Sequence, residues 1–402
     1  MEVTLKMSGN SNVGVYFIIS FLACCFTAYV LIVHGQCLSG STQAYTLVPA
    51  PASSSNGPDQ VSVNTLIKEA DTTALQAPAV GAVHNPSSTL ARFIIHDDNY
   101  SVPASLRLKT RVAYFGLPDT RLGPIVVGPL PPSFNYDYWT DVNQDKWEPL
   151  TLKVFWNVGK HRQGALLDFG AWIGPLTLYA IHQPDKFTRV VALEPDPVSF
   201  MHLHANLALQ GRMLRDRVML FKNCMSYKPE TIQIQGNGGN SGTFLGQAGR
   251  VEVSQENAFL LPVDSQQTFC FRFEDLFEGA GLPQDISLIK FDVEGFEMYL
   301  WPHVATYLES IKHRLPGGVK PPVFLSTHKA FWKRWESDTA KQSELQQTVV
   351  DSLFKYKFVY TSGSFNGIQL TRIHESQRVG LQLCDLCEFL LSDEEIPMVW
   401  PL

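Results

Sequence analysis

Two groups of residues have the types and spacing to do chemistry. The first is D-F-G-A-W-I-G at 168–174, followed about twenty residues on by L-E-P at 193–195. An apolar run at 165–167 ends in Asp168, Gly170 and Gly174 follow, and a second apolar run at 190–193 ends in Glu194. That pattern is a βαβ unit with a glycine turn after its first strand and a carboxylate at the tip of its second. Gly170 would let the backbone approach a ligand, and Glu194 can accept both hydroxyl protons of a ribose. The second group is L-I-K-F-D-V-E-G-F-E at 288–297. Lys290, Asp292, Glu294 and Glu297 crowd the end of that strand, and His328 follows a later apolar run at 322–326. Ligands of open α/β sheets bind beyond the carboxyl ends of the strands. Asp292 therefore points where cofactor and acceptor would meet, able to take a hydroxyl proton or to orient the nucleophile, with His328 as a general base in the same cleft. Plainer uses exist for each: turn chemistry for Asp168 and the glycines, helix capping for Asp292 and Glu294, an ion pair for Lys290, a core position for His328.

The turn D-x-G-x-x-x-G differs from G-x-G-x-x-G, which aims a helix N-terminus at a pyrophosphate. An acid at Asp168 would repel phosphate and suits a cation with an amino-acid tail. S-adenosylmethionine, with its sulfonium and ammonium groups, is that ligand, bound without a metal. Asn223, after the third strand of the pattern, is placed to meet the adenine; Asn206 lies too deep in its helix for that. Trp301, Trp332 and Trp335 could stack on a sugar ring or fill the core.

These motifs, with W-E-P at 147–149, L-E-P-D-P at 193–197 and H-A-N-L-A-L-Q-G at 204–211, resemble the FkbM-type methyltransferases over residues 141–328. The resemblance implies an S-adenosylmethionine-dependent enzyme that methylates hydroxyl oxygens. It also implies the class I fold, a Rossmann-like, mostly parallel seven-stranded sheet ending in an antiparallel hairpin. Two positions depart from the family: Trp172 stands where Asn is usual, and Ser326 where Glu tends to precede the final His.

The elements that would position these residues alternate as strand and helix. Strand-like runs fall at 165–169, 190–193, 218–222, 286–291 and 322–326, and helical segments at 176–182 and 198–209, the latter after Pro197. Runs at 358–361 and 367–371, separated by S-G-S-F-N, read as the closing hairpin. The segment 235–249 holds six glycines and reads as a loop. The methyltransferase domain is expected at 147–376, with an N-terminal extension at 91–146 and a C-terminal one at 377–402.

Upstream, residues 13–33 carry no formal charge over 21 positions, long enough to cross a bilayer core, which takes roughly 20 helical residues. A signal peptide has a shorter apolar region. Residues 1–12 form a short tail, and 34–90 read as a flexible Ser/Pro-rich stalk. This layout implies a single-pass type II membrane protein with a lumenal domain, in the Golgi or another endomembrane. Asn99-Tyr100-Ser101 would then be a glycosylation acceptor. Seven cysteines do not decide the compartment: Cys24 and Cys25 lie in the span, and Cys384-x-x-Cys387 fits a short disulfide or half a zinc site. A net charge of −6 leaves no electrostatic footprint for nucleic acid.

The expected partners are therefore the membrane and a hydroxylated small-molecule or glycan acceptor. Two other readings stand beside this one. A glycosyltransferase would use Asp292-Val293-Glu294 as a metal-binding acidic pair, and a non-catalytic binding module would follow if Trp172 spoils the cofactor turn. The topology makes a direct prediction. In sealed microsomes everything after Gly35 should survive added protease until detergent is present, and digestion of the intact domain without detergent would reverse the orientation.

Overall fold

In the computed structural model the site elements lie in an eight-stranded sheet of order β13-β12-β14-β11-β10-β3-β4-β5. The structure describes residues 109–116, 121–131, 137–235, 244–246, 265–279, 285–363 and 369–397. All lie in the second of the two units into which the chain divides, residues 61–402. The expected span at 13–33, the stalk, Asn99 and most of the glycine-rich segment lie outside the described residues. Among the described residues no helix is long and apolar enough to cross a membrane.

A short antiparallel pair comes first, β1 (Arg111–Ala113) with β2 (Ile125–Val127), then helices α1 (Tyr138–Asn143) and α2 (Pro149–His161). The βαβ unit follows as expected: β3 (Gly164–Phe169), α3 (Pro175–Ile181), β4 (Phe187–Leu193), α4 (Pro197–Ala208), the one-turn α5 (Arg212–Arg215) and β5 (Val218–Phe221). Asp196 caps α4 by accepting from Val198 N and Ser199 N, with Pro197 in the first turn, so the L-E-P-D-P string stops a strand and starts a helix. A second sheet, β6-β9-β7-β8, is built from β6 (Cys224–Met225), β7 (Glu230–Gln235), β8 (Phe244–Gly246) and β9 (Ser265–Phe271). A disulfide joins Cys224 to Cys270 across β6 and β9. Helix α6 (Phe273–Gly279) leads to β10 (Ile286–Phe291), α7 (Glu297–Ile311), β11 (Val323–Thr327), α8 (Thr339–Leu353), β12 (Phe358–Thr361), β13 (Thr371–Ile373) and β14 (Cys387–Ser392).

The sheet corrects the sequence reading in three respects. It has eight strands rather than seven. The hairpin partner of β12 is Thr371–Ile373, later than the expected 367–371, and it forms the outer edge. The strand beside β11 is β14, which runs antiparallel to both β11 and β12 and comes from residues assigned to a C-terminal extension. The hydrophobic run of β14 is short, and nothing local says that it inserts between strands already formed. Cys384 and Cys387 at its start form a disulfide, so they are not half of a zinc site.

Strand alternation splits the core in two. Leu167, Val191, Ile289, Leu325 and Phe389 pack on one face with α6, α7 and α8. Leu166, Val190, Leu288, Phe324 and Leu390 pack on the other with α2, α3, α4 and the 113–142 segment. Trp301 and Trp332 are 0% and 1% exposed, so they serve the core and do not stack on a ligand.

Gly170 and Gly174 have φ of 78° and 91°, where only glycine rests without strain. The close approach at Gly170 is internal. A Cβ there would collide with the carbonyl oxygen of Asp292, and one at Gly174 would collide with Leu203. Gly170→Ala should therefore destabilise by roughly 1–2 kcal/mol from its left-handed backbone and about 1–3 kcal/mol more from overpacking against Asp292. Urea unfolding reads this directly, and a variant as stable as the parent would show that the two strand ends can separate freely.

Candidate active site

Strand register gathers the candidate residues at one edge of the sheet. Asp168 pairs in register with Lys290 and with Ala192, Lys290 with Phe324, and Phe324 with Leu390. Two residues further along each chain direction, Ser326 pairs with Glu388. Extending the other registers by one residue completes a row: Glu194, Gly170, Asp292, Ser326, Glu388 and Ser362. Registered residues present their side chains to one face, here the face covered by α2 and α3. The helix α2 begins just after Glu148, whose backbone is left-handed at φ 38°.

Lys290 organises the centre of this row. Its ammonium donates to the carbonyl of Gly170 at 2.9 Å and lies 3.3 Å from Asp292 and 3.6 Å from Asp168. Burial works against its charge, but Asp292 and Asp168 raise its pKa well above the ordinary lysine value. Asp168 is 0% exposed and also accepts from the Thr177 hydroxyl at 2.7 Å. Through its contact with Lys290 it anchors the lysine that holds the turn.

Glu194 stands at the tip of β4, its two oxygens accepting from Trp172 N at 2.7 Å and Asp196 N at 2.8 Å. Burial and the nearby Asp196 push its carboxyl up to about 8. Trp172 takes φ 52°, a left-handed position that Asn tolerates better than Trp. Its ring meets Tyr138 edge-on at 4.7 Å, and its N–H still reaches Glu194, so the substitution leaves the turn formed. Asn223 sits at the end of β5 and donates to Phe269 O at 2.9 Å. Asn206 is structural, tying Gly128 N and Ile173 O together.

On the other side of Asp292 lies an imidazole between two carboxylates. His328 Nδ1 is 2.8 Å from Glu297 Oε1, and Nε2 is 3.4 Å from Asp292 Oδ1. Burial opposes its charge, but Glu297, Glu294 and Asp292 raise its pKa to about 10. These acids favour the imidazolium form of His328, which works against the general-base role expected of it. Burial likewise raises the Asp292 carboxyl, but Lys290 and His328 pull it below the usual carboxylate range. Asp292 is ionised, weakly basic, and suited to orienting a hydroxyl.

Asp292, Glu297 and His328 offer ligand atoms within 4.8 Å of one another, close enough to suggest a cation site. In the structure the two ring nitrogens of His328 pair instead with the carboxylates, Nδ1 with Glu297 and Nε2 with Asp292. Neither Asp292 nor Glu294 caps α7, whose N-cap is Phe296, with no side-chain cap bond.

Three further acids at this edge carry no role in the sequence reading. Glu297 was noted but given no role; it is 0% exposed and also accepts from Val293 N. Glu148 lies in W-E-P, and burial together with Asp292 raises its carboxyl to about 7. Glu388 on β14 is 4% exposed, and burial together with Glu148 raises it to about 8. It faces Ser326, the position where the resemblance led one to expect Glu. Only pairing of β11 with β14 reveals that, and no local signal carried it.

Residues 158–299 match the family model of the methyltransferase FkbM domain. No curated protein matches the chain. Among solved structures it is similar to a methyltransferase FkbM from Methylobacillus flagellatus KT, at 16% identity and a TM-score of 0.30 over 57% of this chain and 43% of that one. The chain therefore spans less than half the length of that relative. It is also similar to a precorrin-6y C5,15-methyltransferase from Geobacter metallireducens GS-15, at 11% identity and a TM-score of 0.27 over 61% and 88%. A tRNA (m1A58) methyltransferase from Aquifex aeolicus gives 12% and 0.24 over 60% and 69%. Scores this low carry no weight for function.

The ion-pair geometry makes its own prediction. In Glu297→Gln the carboxylate that raises His328 most is gone, so the imidazole pKa should fall from about 10 toward its ordinary 6.5. Proton NMR of the ring hydrogens against pH reads this, and an unmoved titration would mean that Asp292 and Glu294 suffice.

Proposed function

We propose that this domain transfers a methyl group from S-adenosylmethionine to a hydroxyl oxygen of a small molecule or glycan. The observation that carries the reading is Glu194, a buried carboxylate held by two backbone N–H groups at the tip of β4, one row position from Gly170 and two from Asp292. Each of its oxygens keeps a lone pair for a ribose hydroxyl. The donor set fits the cofactor: carboxylates suit a sulfonium and an ammonium, and the turn carries no phosphate cradle. Bound there, S-adenosylmethionine supplies an electrophilic methyl group. Glu194 and the 170–174 turn hold it, with Asn223 toward the adenine. Asp292 accepts a hydrogen bond from a hydroxyl of the acceptor and aligns the molecule, and alignment accounts for much of the acceleration in such displacements. The placement of antiparallel β14 between β11 and β12 supports the class I reading of the fold.

We further infer that residues 13–33 anchor the chain and that the domain is lumenal. The disulfides at Cys224–Cys270 and Cys384–Cys387 support an oxidising compartment.

Glu194→Ala loses two hydrogen bonds to the ribose, each worth roughly 0.5–1.5 kcal/mol. Calorimetry with S-adenosylhomocysteine should show affinity falling at least several-fold while the thermal transition persists. Unchanged affinity would remove the cofactor assignment.

A further inference from the structure

The row of strand ends continues past Asp292, and what it reaches is not used by the reading above. Glu388 lies two strands from Asp292, roughly 10 Å across the sheet at about 4.8 Å per strand, on the same face. Its carboxyl is hydrogen-bonded by Ser362, and its Oε2 finds no partner among the described residues although it is buried. A buried carboxyl oxygen left without a donor is costly unless something else fills the gap. The charged and titratable groups facing it are Glu148 ahead of α2, Asp292 on β10 and His328 after β11; β12 offers only the Ser362 hydroxyl. The site's two cations are engaged, Lys290 with Asp168, Asp292 and Gly170 O, His328 with Glu297 and Asp292. Among the described residues no uncommitted cation there greets an anionic acceptor, while Glu148, Glu388 and Ser362 can both donate to and accept from hydroxyls.

We propose that Glu388 is the acceptor-side carboxyl of this site: it hydrogen-bonds a neutral, hydroxylated acceptor lying over the ends of β11 and β14, and it receives the proton that the reacting hydroxyl loses. This rests on the methyl-transfer reading. The acceptor oxygen forms a bond to the methyl carbon, the carbon–sulfur bond breaks with its electrons passing to sulfur, and the O–H proton passes to Glu388. Charge balances, because a sulfonium and a carboxylate become a thioether and a carboxylic acid. Asp292, weakened as a base by its two cations, holds a neighbouring hydroxyl of the acceptor, whereas burial beside Glu148 leaves Glu388 the stronger base, facing the reacting one. A base must be ionised to act, so turnover should rise as pH climbs through about 8 and level off above it.

The test uses the full chain, labelled S-adenosylmethionine, and three probes: methyl glucoside, methyl glucosaminide and methyl glucuronide. Binding of S-adenosylhomocysteine is measured separately by calorimetry, and probe binding to the loaded protein by NMR. Wild type should bind and methylate the neutral probe in preference to the anionic one. Glu388→Gln should bind S-adenosylhomocysteine within twofold of wild type, and its turnover should fall by about 10²–10⁴-fold with loss of the rising pH limb. Glu148→Gln should move that limb to lower pH, because Glu148 is what raises Glu388 electrostatically. A Glu388→Gln enzyme that keeps its turnover or its limb overturns the proposal, as does preference for glucuronide or no binding of any probe by cofactor-competent protein. Failure of wild type to bind S-adenosylhomocysteine instead overturns the methyl-transfer reading itself.

Discussion

A buried ammonium with three oxygen partners sets the geometry on which this site depends. Lys290 joins β10 to β3 through Asp168 and to the glycine turn through Gly170 O, and it reaches Asp292 at the edge. Desolvating a lysine is expensive, and a buried pair repays that only when its hydrogen bonds are satisfied. The arrangement is thus a weak source of stability and a strong source of specificity. It leaves the ends of two strands one relative position and keeps Asp292 ionised. Gly170 follows from the same constraint, since its missing Cβ lets Asp292's backbone close over the turn.

Around that centre the protein stores strain where the site is. The described non-glycine residues with positive φ are Asp145, Glu148, Trp172 and Glu294, and all but the first border the row of strand ends. Each such backbone costs on the order of 1–3 kcal/mol and persists only when its surroundings over-determine it. Trp172 is held by its N–H to Glu194 and its ring on Tyr138, which ties the segment before α2 to the cofactor turn. The same segment delivers Glu148.

Carboxyl groups at this edge are sorted by their neighbours. Asp292, beside two cations, is low; Glu148 and Glu388, beside other acids in low dielectric, are high. Groups of one chemical kind thereby differ in basicity, which suits them to different tasks. His328 shows the converse, a histidine biased toward its cationic form by Glu297 and so away from the base its residue type suggests.

Much of this protein is determined by local sequence. The βαβ unit, the glycine turn, the L-E-P-D-P strand stop and helix cap, and the strand of Lys290 and Asp292 rest on periodicity, positive-φ chemistry and capping, which act within a few residues. Tertiary structure alone decided the rest. β14 became an interior strand because its partners, β11 and β12, are fixed by sheet pairing across long stretches of chain. Asp168 turned inward because Lys290, 122 positions away, is in register with it. The role of Glu388 depends on Ser326 opposite and on Glu148 and Asp292 nearby, from three different elements. Sequence spacing conveys which residues share a turn or a strand face; which buried charges meet, and so which are acids, bases or anchors, is set by register between strands that no local pattern encodes.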